Sequence, residues 1–307
     1  MDITSTNEIT HDFSPFFKVY KDGRIERCII YPHLPPTVDP HAAVQSLDVV
    51  FSPELGLRGR LFFPKLPPVA AAPHKLPLLL HFHGGGFCVG SPFDAVCQNY
   101  LHSLIPQVNA IIVSVDYRLA PEHRLPIAYE DSWAALHWVA AHLDGHGPEP
   151  FLNQHVDFGR VFLAGDSAGA NIAHYVAVRA GVSGSGGLKP RGMILIQPLF
   201  GGPERDKLYR FLCPSSKGWE EDPKLNPAVD PDMKTMGCGR VLVCVAEKDR
   251  LRDWAQSYYE TLKESEWVGS VEMDEVKGVG HCFHLFNPTS KEALALFKRL
   301  SAFINQD

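Results

Sequence analysis

A serine in this chain stands in a setting that can make it a nucleophile. The pentapeptide Gly-Asp-Ser-Ala-Gly occupies 165–169, directly after the apolar run 161–164, and residues 168–180 have the pattern of a helix. A serine hydroxyl is a weak nucleophile until a turn exposes it and a neighbouring base takes its proton. A Gly-x-Ser-x-Gly turn between a strand and a helix provides that exposure. The spacing predicts that Ser167 attacks an electrophilic carbon, provided that a base lies within reach.

A histidine and an aspartate follow two later apolar runs. Asp249 comes after the predicted strand 241–246, and His281 comes after the predicted strand 271–276. Because the active site of such a sheet lies at the carboxyl ends of its parallel strands, we expect both side chains to lie near Ser167. His281 would take the serine proton and return it to the leaving group, while Asp249 would hold the imidazole in the correct tautomer.

Other residues compete for these two roles. Glu247 and Asp253 lie close to Asp249 in the chain, and Asp253 is interpreted as supporting the start of the next helix. His284 lies three residues after His281. The apolar neighbours of His284 indicate a place in packed structure, whereas His281 directly follows a glycine. We therefore assign the role of orienting carboxylate to Asp249 and the role of base to His281.

A glycine loop provides a place for the negative charge that develops on an attacked carbonyl oxygen. The heptapeptide His-Phe-His-Gly-Gly-Gly-Phe at 81–87 begins in the predicted strand 78–82. Glycines let backbone N–H groups approach an oxyanion with no side chain between them. The residues predicted to form this oxyanion hole are Gly84, Gly85, Gly86 and Ala168.

The same stretch contains a His-x-His pair, which is also a spacing of metal ligands. A glycine loop follows His81 and His83, and no carboxylate cluster stands near them in the sequence. The seven cysteines are scattered and form no Cys-x-x-Cys pair, so they predict neither a structural zinc nor a disulfide framework. We therefore predict no metal site and a cytoplasmic location.

The elements that must position these residues alternate between strand and helix. An antiparallel pair of strands is predicted within 44–63, and the proline-rich stretch 66–76 is predicted to be a surface loop. Further strands are predicted at 78–82, 110–115, 161–164, 193–197, 241–246 and 271–276. Helices are predicted at 94–106, 129–143, 168–180, 252–265 and 290–303. The continuous apolar character of the later strands indicates an α/β fold with a mostly parallel central sheet covered by helices on both faces.

Composition restricts the class of partner. The 307 residues are 45% hydrophobic and 21% charged, as in an ordinary soluble globular protein. The net charge is −6 and no basic run is present, which argues against nucleic acid or an anionic membrane as partner. The polar, acidic N-terminus lacks the pattern of a signal peptide, and no apolar run approaches the length of a membrane span. A small molecule is the expected partner.

Several motifs together resemble a known family. His-Gly-Gly-Gly at 83–86, Asp-Tyr-Arg-Leu-Ala-Pro-Glu-His at 116–123 and the serine pentapeptide at 165–169 are similar to those of the hormone-sensitive-lipase-like branch of the α/β-hydrolases. The opening at 16–24 and the end at 280–286 resemble plant carboxylesterases and the related 2-hydroxyisoflavanone dehydratases. This resemblance implies an α/β-hydrolase fold and hydrolysis of small carboxylic esters, without a cofactor, through a covalent acyl-enzyme.

The resemblance also implies how the chain is organised. Residues 1–307 would form a single domain, in which an N-terminal arm, 1–43, and a segment, 200–232, make a small cap over the site. Arg118 and Glu122 would brace the loop near the site, with Asp131 as a partner. The cap segment is shorter than is usual in the family. Aromatic residues that we expect to wall the substrate pocket are Phe87, Phe200, Tyr209 and Trp219.

Two other functions occur in the same family. Dehydratases and cyclases that act on plant specialised metabolites are the first alternative, and a small-molecule receptor without catalysis is the second. Many of those dehydratases replace the serine by threonine and end the glycine loop in alanine, whereas the receptors lack the histidine. At these three positions this chain has Ser167, Gly86 and His281, the residue types that the esterases of the family have. This favours a carboxylesterase.

Overall fold

The computed structural model of the protein describes residues 7–66 and 75–306, so most of the predicted loop 66–76 lies outside the described residues. The strands are β1 (Ile9–Phe13), β2 (Phe17–Tyr20), β3 (Ile25–Arg27), β4 (Val44–Ser52), β5 (Leu57–Pro64), β6 (Leu76–Phe82), β7 (Ile111–Asp116), β8 (Val156–Asp166), β9 (Gly192–Ile196), β10 (Arg240–Ala246) and β11 (Ser270–Val276). The α-helices are α1 (Ala95–Val108), α2 (Ile127–Ala140), α3 (Pro150–His155), α4 (Ala168–Ser183), α5 (Pro203–Leu212), α6 (Arg252–Glu264), α7 (Phe283–Phe286) and α8 (Lys291–Ile304). Within the described residues, no helix has both the length and the apolar character needed to cross a membrane.

Eight strands form the central sheet in the order β11-β10-β9-β8-β6-β7-β5-β4. Strands β6 to β11 pair with one another in parallel, whereas β5 is antiparallel to both β7 and β4. The six predicted apolar runs are the six parallel strands, and the predicted antiparallel pair is β4 with β5. The α/β architecture predicted from the sequence is therefore confirmed.

Helices cover both faces because successive side chains of a strand point to opposite sides of the sheet. Leu78 and Leu80 of β6 belong to one buried cluster, and Leu79 between them belongs to another. Side chains of α2, α4 and α6 complete the first cluster, and those of α1 and α8 complete the second. A strand buried on both faces needs apolar residues at every position, which is why the runs in the sequence are continuous.

The N-terminal arm forms a separate antiparallel sheet in the order β1-β2-β3, which the sequence did not predict. These strands have only three to five residues, too few to display the alternation that marks a half-buried strand. Phe13 and Phe17 are nevertheless 7% and 0% exposed and pack in the same cluster as Leu78. The N-terminal arm therefore packs on the body of the protein.

Candidate active site

Ser167 lies at the turn between β8 and α4, and its own backbone is strained. Its φ of 51° and ψ of −116° place a residue with a side chain in a region that costs about 1–3 kcal/mol. Neighbouring backbone holds the turn in place, because the Ser167 N–H donates to the Ile196 carbonyl at 2.9 Å and its carbonyl accepts from the Leu199 N–H at 3.0 Å. The turn places Ser167 on the wall of a cavity.

The flanking glycines allow close packing around this turn. A Cβ on Gly165 would lie 2.3 Å from the carbonyl carbon of Gly169, and a Cβ on Gly169 would lie 1.9 Å from the carbonyl oxygen of Phe82. Both distances are far below van der Waals contact, so any side chain at either position would push α4 away from the sheet. The strained residue of the turn is therefore the serine, while the glycines bring helix and strands together.

The structure brings Ser167, His281 and Asp249 together in one hydrogen-bonded chain. His281 Nε2 lies 3.0 Å from Ser167 Oγ, and His281 Nδ1 lies 2.7 Å from Asp249 Oδ2. The other carboxylate oxygen of Asp249 accepts the buried N–H of Leu251 at 2.9 Å. The Asp249 side chain is 2% exposed and that of His281 is 37% exposed, so the imidazole faces the cavity while its partner is shielded from water.

The competing acids and the second histidine lie elsewhere. Glu247 is exposed and accepts the N–H of Gly278 at 2.8 Å, and the Asp253 side chain is 90% exposed beside Arg252. His284 is fully buried with its ring edge-on to Tyr100. Burial lowers the pKa of His284 to about 4, with His281 and His81 adding to this effect and Asp166 opposing it.

The glycine loop leads from β6 to the same cavity. Gly84, Gly85 and Gly86 line it beside Ser167, and Ala168 is buried in the first turn of α4. Gly85 and Gly86 have φ values of +106° and +61°, and a Cβ on Gly85 would lie 2.0 Å from the Val89 carbonyl oxygen. Among the described residues, the N–H groups of Gly85, Gly86 and Ala168 have no hydrogen-bond acceptor. Unpaired donors around a nucleophile are the arrangement that an oxyanion requires.

A buried carboxylate lies beneath the glycine loop. Asp166 is 1% exposed, and a Cβ on Gly84 would lie 2.3 Å from its Oδ2. Burial raises the pKa of Asp166, but His81, whose Nε2 is 3.7 Å from Oδ1, and His284 together hold that pKa below its usual value. The Asp166 carboxyl group is thus packed directly against Gly84. His83, the other member of the His-x-His pair, bonds through Nδ1 to the Gly84 carbonyl oxygen at 2.8 Å and stacks on Tyr117.

Two arginines fasten the surrounding loops. Arg118 makes a bidentate contact with Asp131, at 2.9 and 2.7 Å, which confirms the partner expected from the resemblance. Glu122 pairs instead with Arg27 of β3. Arg27 also donates to the carbonyl oxygens of Cys88 and Ala120, so the N-terminal arm is tied directly to the glycine loop.

Sequence reasoning missed Arg27 and a further residue that positions His281. Gln197 follows β9, has a φ of 49° and accepts the N–H of Cys282 through its Oε1. Its own N–H donates to the Cys244 carbonyl oxygen at 2.7 Å. The signal that could have revealed Gln197 is its place just after a strand end, the same signal that identified Asp249.

The cavity beside Ser167 has a volume of about 690 Å³, within the range of small-molecule sites. Of the four aromatic residues expected to wall it, Phe87 and Tyr209 do so. The expectation is wrong for the other two, which are not among the described lining residues. Phe200 stacks on Tyr258 of α6 at 4.7 Å within the core, and Trp219 packs against the ring of Trp254 at 5.1 Å. Both rings are drawn away from the cavity by aromatic packing against α6.

Comparison with known proteins agrees with the α/β architecture of the structure. Residues 79–285 match a family described as having the alpha/beta hydrolase fold. The chain is 41% identical to the probable carboxylesterase 5 of Arabidopsis thaliana, with 97% of this chain and 99% of that protein covered. It is 38% identical to a 2-hydroxyisoflavanone dehydratase from Glycyrrhiza echinata, with 98% of each chain covered.

A solved structure is similar as well. The match is a hyperthermophilic esterase from the archaeon Pyrobaculum calidifontis, with a TM-score of 0.67, 29% sequence identity and 85% of both chains covered. The similarity extends well beyond the parallel strands that carry Ser167 and His281.

Proposed function

Because the chain belongs to the alpha/beta hydrolase fold family, we propose that it is a serine carboxylesterase that hydrolyses small carboxylic esters through an acyl-enzyme. The observation that carries this proposal is the hydrogen-bonded chain from Ser167 through His281 to Asp249, at 3.0 and 2.7 Å, on the wall of a cavity. A nucleophile, a base that touches it and a third group that orients the base are the parts that acyl transfer needs.

The reaction begins when Ser167 Oγ attacks the ester carbonyl carbon and His281 Nε2 accepts the hydroxyl proton. The bond from that carbon to the alcohol oxygen then breaks, His281 returns the proton to the departing alcohol, and the acyl group stays on Oγ. Water then attacks the acyl carbon as His281 removes its proton. The bond from that carbon to Oγ breaks, His281 returns the proton to Oγ, and the carboxylic acid leaves. Asp249 accepts the Nδ1–H of His281 throughout and stabilises the imidazolium.

The proposed oxyanion hole consists of the N–H groups of Gly85, Gly86 and Ala168, with Gly84 shaping the loop. In a site shielded from water, donors already in position stabilise developing charge without reorganisation. The lack of any other acceptor for these three groups among the described residues supports the assignment.

We expect Gly86→Ala to lower kcat for ester hydrolysis by about 100-fold or more, as loss of an oxyanion donor does elsewhere. The new Cβ would lie 2.8 Å from the ring of Phe16, at a φ of +61°, so the loop must shift and its N–H with it. Gly56→Ala is the matched control, because Gly56 has a φ of +64° and no atom within 4 Å of a Cβ. Steady-state kinetics measures the difference, and equal kcat values in the two variants would contradict the assignment.

The proposal extends to the organisation of the chain. Residues 12–16 of the arm and several side chains of α5 line the cavity, which supports a cap made of 1–43 and 200–232 in a single domain, 1–307. We also propose a cytoplasmic location, since a reducing compartment keeps cysteines as free thiols, the form of all seven here.

Elimination of water from a plant specialised metabolite is the second candidate function. The observation that favours it is the similarity to the 2-hydroxyisoflavanone dehydratase, of which this chain covers 98% at 38% identity. The same imidazole could remove a proton from carbon instead of from serine. Such a lyase would need no acyl-enzyme, so the two candidates differ in whether the serine hydroxyl takes part.

The wild-type protein tests the proposal directly. We expect it to release p-nitrophenol from p-nitrophenyl acetate and butyrate, with an initial burst equal to the number of active sites if deacylation is slower than acylation. After the protein is treated with an organophosphate inhibitor, mass spectrometry should find the covalent adduct on the peptide that contains Ser167. Saturable ligand binding with no ester turnover and no adduct would instead indicate a receptor, and dehydration of a hydroxyisoflavanone without an adduct would indicate the lyase.

A further inference from the structure

Four cationic side chains line the cavity that contains the proposed catalytic serine. Arg205 and Lys207 belong to α5, and Lys248 and Arg250 lie on either side of the aspartate of the triad. In the part of the chain that the structure describes, no carboxylate oxygen lies within 4 Å of any of the four. The acidic residues Asp12, Asp94, Asp166, Glu204 and Asp249 also line this cavity. What distinguishes the four cations is therefore that none of them is paired with a carboxylate of the described residues.

Arg205 is the most informative of the four because it is half-buried. Its Nη1 donates to the Gly201 carbonyl oxygen at 3.2 Å, and its remaining N–H groups have no acceptor among the described residues. Burial lowers the pKa of Arg205, Arg250 lowers it further, and Glu204 and Asp249 oppose them. Arg250 lines the same cavity as Arg205, so two guanidinium groups share its wall.

Other shielded arginines of this protein have strong partners. Arg118 holds Asp131 in a bidentate contact, and Arg60, whose side chain is 2% exposed, bonds both carboxylate oxygens of Asp48. A charge removed from water is costly unless an opposite charge and hydrogen bonds compensate. Arg205 lacks that compensation within the described chain, which indicates that its partner is supplied from outside.

The acidic residues nearest to Arg205 do not provide the missing partner. Glu204 precedes it on α5, and adjacent residues of a helix do not face each other. Asp249 has both oxygens engaged, one by His281 and the other by Leu251. The unpaired guanidinium donors thus remain available on the wall shared with the nucleophile.

We propose that Arg205, assisted by Arg250, binds a carboxylate carried by the substrate, so that the preferred substrates are esters with a free carboxylate in their acyl or alcohol part. This inference rests on the proposed esterase function and names the substrate class of that same site. The planar fork of a guanidinium matches a carboxylate with two parallel hydrogen bonds. Lys207 and Lys248, both exposed, add positive charge along the approach to the cavity.

Two matched pairs of esters test the inference. The first pair carries the charge in the alcohol part, as para-acetoxybenzoate against para-acetoxybenzamide, and the second carries it in the acyl part, as mono-p-nitrophenyl adipate against its terminal amide. We expect kcat/KM to favour the carboxylate of at least one pair by about 10- to 100-fold, the range for charge-assisted hydrogen bonds. Arg205→Gln should remove this preference. Arg210→Gln should keep it, because Arg210 lies on the same helix but pairs with Asp206 away from the cavity.

The outcomes separate this inference from the proposed function. Equal kcat/KM for acid and amide in both pairs, or a preference that survives Arg205→Gln, would overturn the carboxylate site while leaving the esterase in place. Failure to hydrolyse any of the four esters would overturn the esterase. In that case calorimetry with para-hydroxybenzoate and para-hydroxybenzamide decides the carboxylate site by itself, since only the benzoate should bind and only when Arg205 is present.

Discussion

Ser167→Ala is expected to lower kcat for p-nitrophenyl acetate by on the order of 10⁵- to 10⁶-fold, the effect of removing a catalytic serine elsewhere. Without Oγ no acyl-enzyme forms, and the remaining rate comes from the oxyanion donors acting on attack by water. The loss corresponds to about 7 to 8 kcal/mol of transition-state stabilisation. We expect KM to change little, because Oγ makes few contacts that a bound ester needs.

Ser183→Ala is the matched control for this variant. Ser183 is an exposed residue in the last turn of α4, the helix that Ser167 begins. Thermal unfolding should give nearly the same midpoint for both variants and for the wild type, since alanine at 167 keeps the strained φ of 51° and loses no buried partner except the His281 contact. Substantial esterase activity in Ser167→Ala, titratable with an organophosphate at another residue, would rule out this serine as the nucleophile.

The parallel sheet and its chemistry could be predicted because both depend on local sequence. A strand covered on two faces must be apolar at nearly every position, so the interior strands β6, β7, β9 and β10 stand out as apolar runs. The edge strand β11 is only partly buried and contains three acidic residues. Once the strand ends are known, Asp249 and His281 are both expected at the carboxyl edge of the sheet, and the apolar neighbours of His284 place that histidine in packed structure. Position does not separate Asp249 from Glu247, which directly follows β10. Strand order explains why these groups meet at one edge of the sheet, whereas the distances of 2.7 and 3.0 Å between them depend on the loops that follow β10 and β11.

The missed features depend on contacts between distant parts of the chain. Arg27 reaches Cys88 across 61 residues, and Gln197 reaches Cys282 across 85 residues. Neither contact leaves a periodic pattern. The aromatic residues Phe200 and Trp219 illustrate the same limit, because an aromatic side chain has equal reason to line a cavity or to pack on α6, and only tertiary structure decides.

Arg205 belongs with these features for an electrostatic reason. An arginine near the start of a helix is unremarkable in a sequence. Arg210 lies four residues after Asp206, a spacing that predicts an ion pair within the helix, whereas no acidic residue lies three or four residues from Arg205. What the sequence does not reveal is that Arg205 is half-buried on the wall of the cavity that contains Ser167, with Arg250 on the same wall. Substrate preference therefore depends on which charges folding leaves without a partner.

Asp249→Asn is expected to lower kcat by about 10⁴-fold, close to 5.5 kcal/mol, although the side chains are nearly equal in size. The reason lies in how Asp249 uses its two oxygens: one accepts the buried Leu251 N–H at 2.9 Å and the other accepts from His281 at 2.7 Å. Asparagine has one acceptor oxygen, and the buried N–H of Leu251 requires it because an unpaired buried donor is costly. The amide NH₂ must then face Nδ1 of His281. That nitrogen becomes the acceptor, the ring proton moves to Nε2, and the imidazole points a proton at Ser167 where it should receive one.

Glu247→Gln is the control that separates this effect from a change of loop charge. Glu247 is exposed, lies two residues before Asp249 and accepts the N–H of Gly278 at 2.8 Å. A glutamine at this position keeps an oxygen that can accept the same N–H. We expect steady-state kinetics to give wild-type kcat for Glu247→Gln, and circular dichroism to give the same fold for both variants. If Glu247→Gln lowers kcat as much as Asp249→Asn does, the negative charge of the loop would explain the loss, and the tautomer of His281 would not. The kcat of Asp249→Asn set against that of Glu247→Gln therefore measures what Asp249 contributes by orienting one proton.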